Sequence, residues 1–160
     1  MENEEQTRTA AGEDVDRLTA ALTGFETALV TPLVSGELLD WSGAVGKAWE
    51  ELQAAWREHP QRHESQYTEM SEVDQEIFRH VERLRNEDNA ITAEIVAVDA
   101  EISRLDRKTP AAERDHLRAE ESRQKVVDQG IALVVRIRKQ EIALKTWFVE
   151  AFNRDRGSVD

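Results

Sequence analysis

The chain has 160 residues, 39% of them hydrophobic, and a formal net charge of -12, with no cysteine. A chain of this size buries a real core within one domain, and the missing cysteines exclude a disulfide framework, a thiolate metal site and a cysteine nucleophile. An acidic surface releases no counterions from a phosphate backbone, so general nucleic-acid binding is excluded, and no apolar run of about 18 residues is present to span a membrane.

Residues 1–12 are acidic, polar and free of any apolar run, so the segment is read as a disordered tail rather than a signal peptide, and the protein as cytoplasmic. The first helix is expected over 13–30, where Val15, Leu18, Leu22, Phe25 and Leu29 follow steps of three and four. Thr31-Pro32 ends it, because the residue before a proline is pushed out of the helical region.

A second helix is expected over 37–67, capped by Ser35 or Gly36. Its stripe is Leu38, Trp41, Val45, Trp49, Leu52 and Trp56, which places three of the four tryptophans on one face as large core residues. The same spacing then reaches His59 and His63, with Pro60 between them. A proline there removes an N–H and clashes with the preceding turn, so the helix bends or terminates at 59–60.

The third helix, expected over 73–107 with Ser71 at its cap and Asp74 three residues on, has the cleanest seam. It runs Ile77, Val81, Leu84, Asp88, Ile91, Ile95, Val98, Ile102 and Leu105, every step three or four, and Asp88 is its one non-aliphatic member. Glu87, Glu94 and Glu101 recur every seven residues beside it and read as a solvated flank. The fourth helix is expected over 110–153, opened by Thr109-Pro110. Its seam is Val126, Gly130, Leu133, Ile137, Gln140, Leu144, Trp147 and Ala151, with Ile131, Val134 and Phe148 beside it. Arg136, Arg138 and Lys139 read as a solvated basic face, and the tail 154–160 is expected to fray.

Two shorter and two longer helices with brief connections predict an all-α, antiparallel four-helix bundle formed by a single domain over 13–153. The rival is an extended coiled-coil hairpin of the last two helices, which leaves the tryptophan face without a home. Within this frame His59, His63, Asp88 and Gln140 are polar residues on greasy seams. A buried polar group is costly unless paired, so they are either hydrogen-bonded core pins or parts of a site. His59 and His63, four apart on one face, can hold one ion. Asp88 joins them as a candidate ligand, with Glu64, His80 and Glu87 as further candidates. If the chain turns near residue 70, His59 and His63 lie level with 77–82, where His80 is. Asp88 is then about six residues further on, some 9 Å at about 1.5 Å per residue.

Three stretches carry a family resemblance. Val81-Glu82-Arg83-Leu84-Arg85-Asn86-Glu87-Asp88 resembles a segment of hemerythrin-like (HHE cation-binding) domains that ends in a ligand histidine. Trp56-Arg57-Glu58-His59-Pro60-Gln61-Arg62-His63-Glu64 is similar to their helix bearing a histidine and then a glutamate. Trp147-Phe148-Val149-Glu150-Ala151-Phe152-Asn153-Arg154-Asp155 is similar to the aromatic ending of some bacterial members. The resemblance covers residues 18 to 157. It implies an antiparallel four-helix bundle around two non-haem irons held by histidines and two carboxylates, which bind oxygen, sense oxygen or redox state, or store iron.

The ligand pattern departs from that family. Asp88 stands where the third helix offers histidine and Gln140 where the last one does. The first helix has no histidine, and the fourth has none after His116. Only His59, with His63 or Glu64 nearby, keeps the expected donor type. The reading that follows is a non-enzymatic hemerythrin-like bundle that has lost its di-iron centre. It needs no cofactor and serves a structural role, with a protein partner or a second copy. The alternative is a reduced site for a single iron or zinc ion, in metal handling or in oxygen or redox sensing.

Overall fold

The computed structural model describes residues 17–34, 37–73, 75–106 and 113–156, with side chains of the last segment described over 117–154. Every regular element among them is helical. In chain order these are α1 (17–30), α2 (Leu38–Arg57), α3 (His59–Val73), a 3-10 turn (Gln75–Ile77), α4 (Phe78–Asp106) and α5 (Glu113–Arg156). The tail expected over 1–12, the caps at Ser35 or Gly36, Asp74, the start at Thr109-Pro110 and the side chain of His116 lie outside the described residues.

The periodic seams form the buried faces. Leu18, Leu22, Phe25 and Leu29 of α1, and Trp41, Val45, Trp49, Leu52 and Trp56 of α2, are all buried. So are Ile77 and the α4 residues Val81, Leu84, Ile91, Ile95, Val98, Ile102 and Leu105, and Val126, Leu133, Ile137 and Leu144 of α5. The second predicted helix is divided as Pro60 requires. Helix α2 ends at Arg57, Glu58 is a turn, and α3 starts at His59, so Pro60 falls in a first turn where its missing N–H breaks no helical bond.

Three boundaries differ from expectation. Ser71 does not cap the third predicted helix but lies inside α3, which continues to Val73, and α4 begins at Phe78. Helix α5 reaches Arg156, past the expected end at 153. The acidic repeat beside the α4 seam is also not simply solvated. Arg136 of α5 donates to Glu87 and, at 2.7 Å, to Glu94, and Lys125 lies 2.8 Å from Glu101. A row of glutamates facing basic residues of a neighbouring helix produces the same seven-residue repeat as a solvated flank.

The chain divides into two compact units, and α4 and α5 contribute a segment to each: 1–57 with 98–131, and 58–97 with 132–160. In the first, the Trp49 indole donates to Asp99 at 2.8 Å and Gln53 donates to the same oxygen at 3.1 Å. Phe25 packs on Trp49 with ring centroids 5.1 Å apart. Gly130 is where α5 meets α1: a Cβ there would lie 2.6 Å from Leu29 Cδ1 and 3.2 Å from the Phe25 ring.

In the second unit, Tyr67, Met70, Ile77, Val81, Leu84, Leu144 and Ala151 form one buried cluster. Here α4 and α5 run antiparallel, because Glu94 and Glu87 meet Arg136, Asp88 meets Gln140 and Glu76 meets Arg154.

Candidate metal centre

The polar residues of the seams meet inside the second unit. Steps of four along α3 put His59, His63 and Tyr67 on one face, each about 1% exposed. Asp88 comes from α4 and Gln140 from α5, at 6% and 3% exposure. Asp88 is adjacent to His63, not a helical turn or more away. Helix α3 runs to Val73 and the chain reverses through 75–77 instead of near 70. Each residue by which an antiparallel turn is delayed shifts the opposing position by two, which carries Asp88 level with His63.

Both carboxylate oxygens of Asp88 lie 3.0 Å from His63 Nδ1. Tyr67 Oη donates to Oδ2 of Asp88 at 2.7 Å, and Gln140 Nε2 donates to Oδ1 at 2.8 Å and to the Leu84 carbonyl at 2.8 Å. On the other side of the imidazoles stands Glu141. Its Oε1 is 2.9 Å from His63 Nε2 and its Oε2 is 3.1 Å from His59 Nε2. These are ion-pair distances, but the two Nε2 atoms and Oε1 do not align as in-line hydrogen bonds. One donor atom each from His59, His63 and Glu141 falls within 4.8 Å of the others, and among the described residues this is the one such group.

The electrostatics follow from the contacts. Burial disfavours the His63 imidazolium, but its hydrogen bond to Asp88 and the proximity of Glu141 outweigh that cost and raise its pKa to about 9. Burial pushes Glu141 up, and His59 and His63 more than reverse it, holding the carboxyl down at about 2. Burial and then the hydrogen bond to Asp88 push the Tyr67 hydroxyl well above its ordinary value, so it stays a donor.

His59 is governed from its other nitrogen. Arg62 Nη2 lies 2.7 Å from His59 Nδ1. A guanidinium has no acceptor, so Nδ1 accepts and His59 carries its ring proton on Nε2, facing Glu141. Arg62 and the His63 imidazolium stand against the carboxylates of Glu141 and Asp88 in this network.

The other candidate ligands are elsewhere. Glu64 is exposed and takes a bidentate pair from Arg85 at 3.0 and 2.6 Å. Glu87 is held by Arg136. His80 stacks on Trp147 with ring centroids 3.6 Å apart, so a His59, His63 and His80 cluster does not form. Asp88 lies behind His63 and is not one of the three converging donors.

Two members of the site were not identified from sequence. Tyr67 continues the step of four that links His59 to His63. Glu141 lies four after Ile137 and three before Leu144, so the seam spacing admits it as readily as it admits Gln140.

The arrangement can hold one cation on two imidazoles and a carboxylate. Asp88 on the far nitrogen of His63 is the usual support of a metal-bound histidine, since it fixes the ring and leaves Nε2 for the ion. The several-histidine ligand set that the resemblance implies is not assembled among the described side chains, where the one histidine outside α3 is His80, stacked on Trp147. No protein-family model matches the chain, and no curated protein or solved structure matches it.

Proposed function

We propose that this protein is a hemerythrin-like, antiparallel four-helix bundle in which a single-ion site replaces the two-iron centre. It binds one divalent iron or zinc ion and handles metal without catalysing a reaction. The observation that carries the reading is the convergence of one donor atom each from His59, His63 and Glu141 within 4.8 Å, with both Nε2 atoms beside the Glu141 carboxylate and Asp88 behind His63. Two histidines and one carboxylate suit zinc or ferrous iron and leave coordination positions for water or a small ligand. The resemblance in α3, α4 and the end of α5 supports the bundle, as does the antiparallel pairing of α4 with α5 in the second unit.

One observation favours a second reading. The His63–Asp88 pair and the Arg62 contact on His59 also make a stable metal-free core, and the bundle then serves a structural or partner-binding role. Titration with Zn2+ by calorimetry, and with Co2+ by visible absorption, separates the two. The metal reading expects one site per chain, lost in His63→Ala and Glu141→Gln, weakened roughly 10- to 100-fold in Asp88→Asn, and kept in Glu64→Gln and His80→Ala. No saturable binding by the wild-type chain would leave the structural reading.

A further inference from the structure

We infer that Arg62 sets the metal affinity of this site by locking His59 in the tautomer that cannot bind an ion, so the site offers two protein donors while Arg62 holds Nδ1 and three once it leaves. The inference rests on the single-ion reading above.

The chemistry is one of counting protons. A neutral imidazole has one N–H and one lone pair. To ligate through Nε2, His59 must carry its proton on Nδ1 and donate it outward, as His63 can to Asp88. Arg62 Nη2 sits 2.7 Å from His59 Nδ1 and can only donate. With Nδ1 occupied as an acceptor, the Nε2 lone pair that would face the ion is replaced by an N–H. The two histidines therefore differ, although they are four apart on one face and equally buried. The partner of His63 Nδ1 is an acceptor, which favours a metal on the opposite nitrogen. The partner of His59 Nδ1 is a donor, which opposes it.

Arg62 is half-buried and three residues from His59 on the same helix, so its guanidinium borders solvent. An ion that recruits His59 must displace it. Binding then gives up one charge-assisted hydrogen bond, a loss of roughly 10- to 100-fold in affinity.

The test replaces Arg62 by residues that differ in charge and in what they offer His59, and loss of charge alone would make Arg62→Ala and Arg62→Gln equal. Arg62→Gln supplies a carbonyl that can accept from Nδ1–H, Arg62→Ala supplies nothing, and Arg62→Lys again supplies only donors. Zn2+ calorimetry on the full chain should find Arg62→Gln tighter than wild type by about tenfold or more, Arg62→Ala intermediate, and Arg62→Lys unchanged. Co2+ absorption should gain intensity in the glutamine variant as the third protein donor joins. In the metal-free protein, long-range proton–nitrogen NMR should find the His59 proton on Nε2 in wild type and on Nδ1 in Arg62→Gln. Each variant is checked for unchanged helicity by circular dichroism.

Wild type binding Zn2+ with Arg62→Gln no tighter, or Arg62→Ala or Arg62→Lys binding as tightly as Arg62→Gln, overturns the tautomer lock and leaves the single-ion site standing. No Zn2+ binding by wild type or by any Arg62 variant overturns both.

Discussion

His63 lies between two carboxylates, Asp88 on Nδ1 and Glu141 toward Nε2, and its surroundings stabilise the charged ring. Replacing Asp88 by leucine would leave a buried imidazolium facing Glu141 alone and would take away the acceptor of the Tyr67 hydroxyl, while Gln140 would keep the Leu84 carbonyl. Removing one member of a buried charged pair costs about 3–5 kcal/mol. Asp88→Leu should therefore destabilise by about that amount in urea unfolding, and the NMR titration of His63 should move down from about 9. An Asp88→Leu variant as stable as wild type would show that the pair holds nothing together. The pH profile follows from the same residues. The His63 pKa is raised from 6.5 to about 9, so its contribution to stability is complete below 6.5 and lost as pH rises through 9. The Glu141 pKa is lowered from 4.5 to about 2, so its contribution is complete above 4.5 and lost as pH falls toward 2. Metal-free protein should be most stable between these limits in thermal melts. Sequence alone places metal release near the ordinary histidine value of about 6.5. The raised His63 value means that protons compete with the ion up to about pH 9, so Zn2+ affinity should keep climbing to that point.

Helices α2 and α5 can each be tested at a glycine. Gly130 faces Leu29 and Phe25 so closely that an added methyl must displace one of them, and both are buried. Gly43 of α2 is exposed and has nothing within 4 Å of such a methyl. Alanine is better than glycine in a helix by about 1 kcal/mol, so Gly43→Ala should raise the melting temperature. At Gly130 the overpacking, about 1–3 kcal/mol, opposes that gain, and Gly130→Ala should melt lower than Gly43→Ala. Leu84→Ala should cost about 2–5 kcal/mol as a truncation inside the Tyr67–Met70–Leu144 cluster. The seams were legible because a spacing of three and four is imposed by helix geometry itself, and the break at Pro60 because the ring has no N–H to donate. The register of α3 against α4 was not, because it depends on where the chain reverses. Ser71 looks like a cap in sequence and lies in the last turn of α3. Glu141 was hidden for another reason: among 33 acidic residues a single glutamate carries no signal until its partner helix is known.

At the scale of the molecule, the charge of -12 and the internal network act separately. Arg62 and His63 stand against Asp88 and Glu141 locally. The ion pairs of Arg136 and Lys125 with Glu87, Glu94 and Glu101 are partly exposed, so salt should weaken them and leave the His63–Asp88 contact nearly unchanged. No described helix is long and apolar enough to cross a membrane. An ion bound only by the folded chain stabilises it by about 2.7 kcal/mol at a hundred times its Kd, so Zn2+ should raise the melting temperature of wild type and not of Glu141→Gln. Elemental analysis of protein purified without chelator, and again after saturation with metal and removal of excess, tests the single-ion site most directly. The account predicts up to one iron or zinc ion per chain, none in His63→Ala, and no near-ultraviolet charge-transfer absorption of a two-iron centre. Two irons per chain, or none even after saturation, would contradict it.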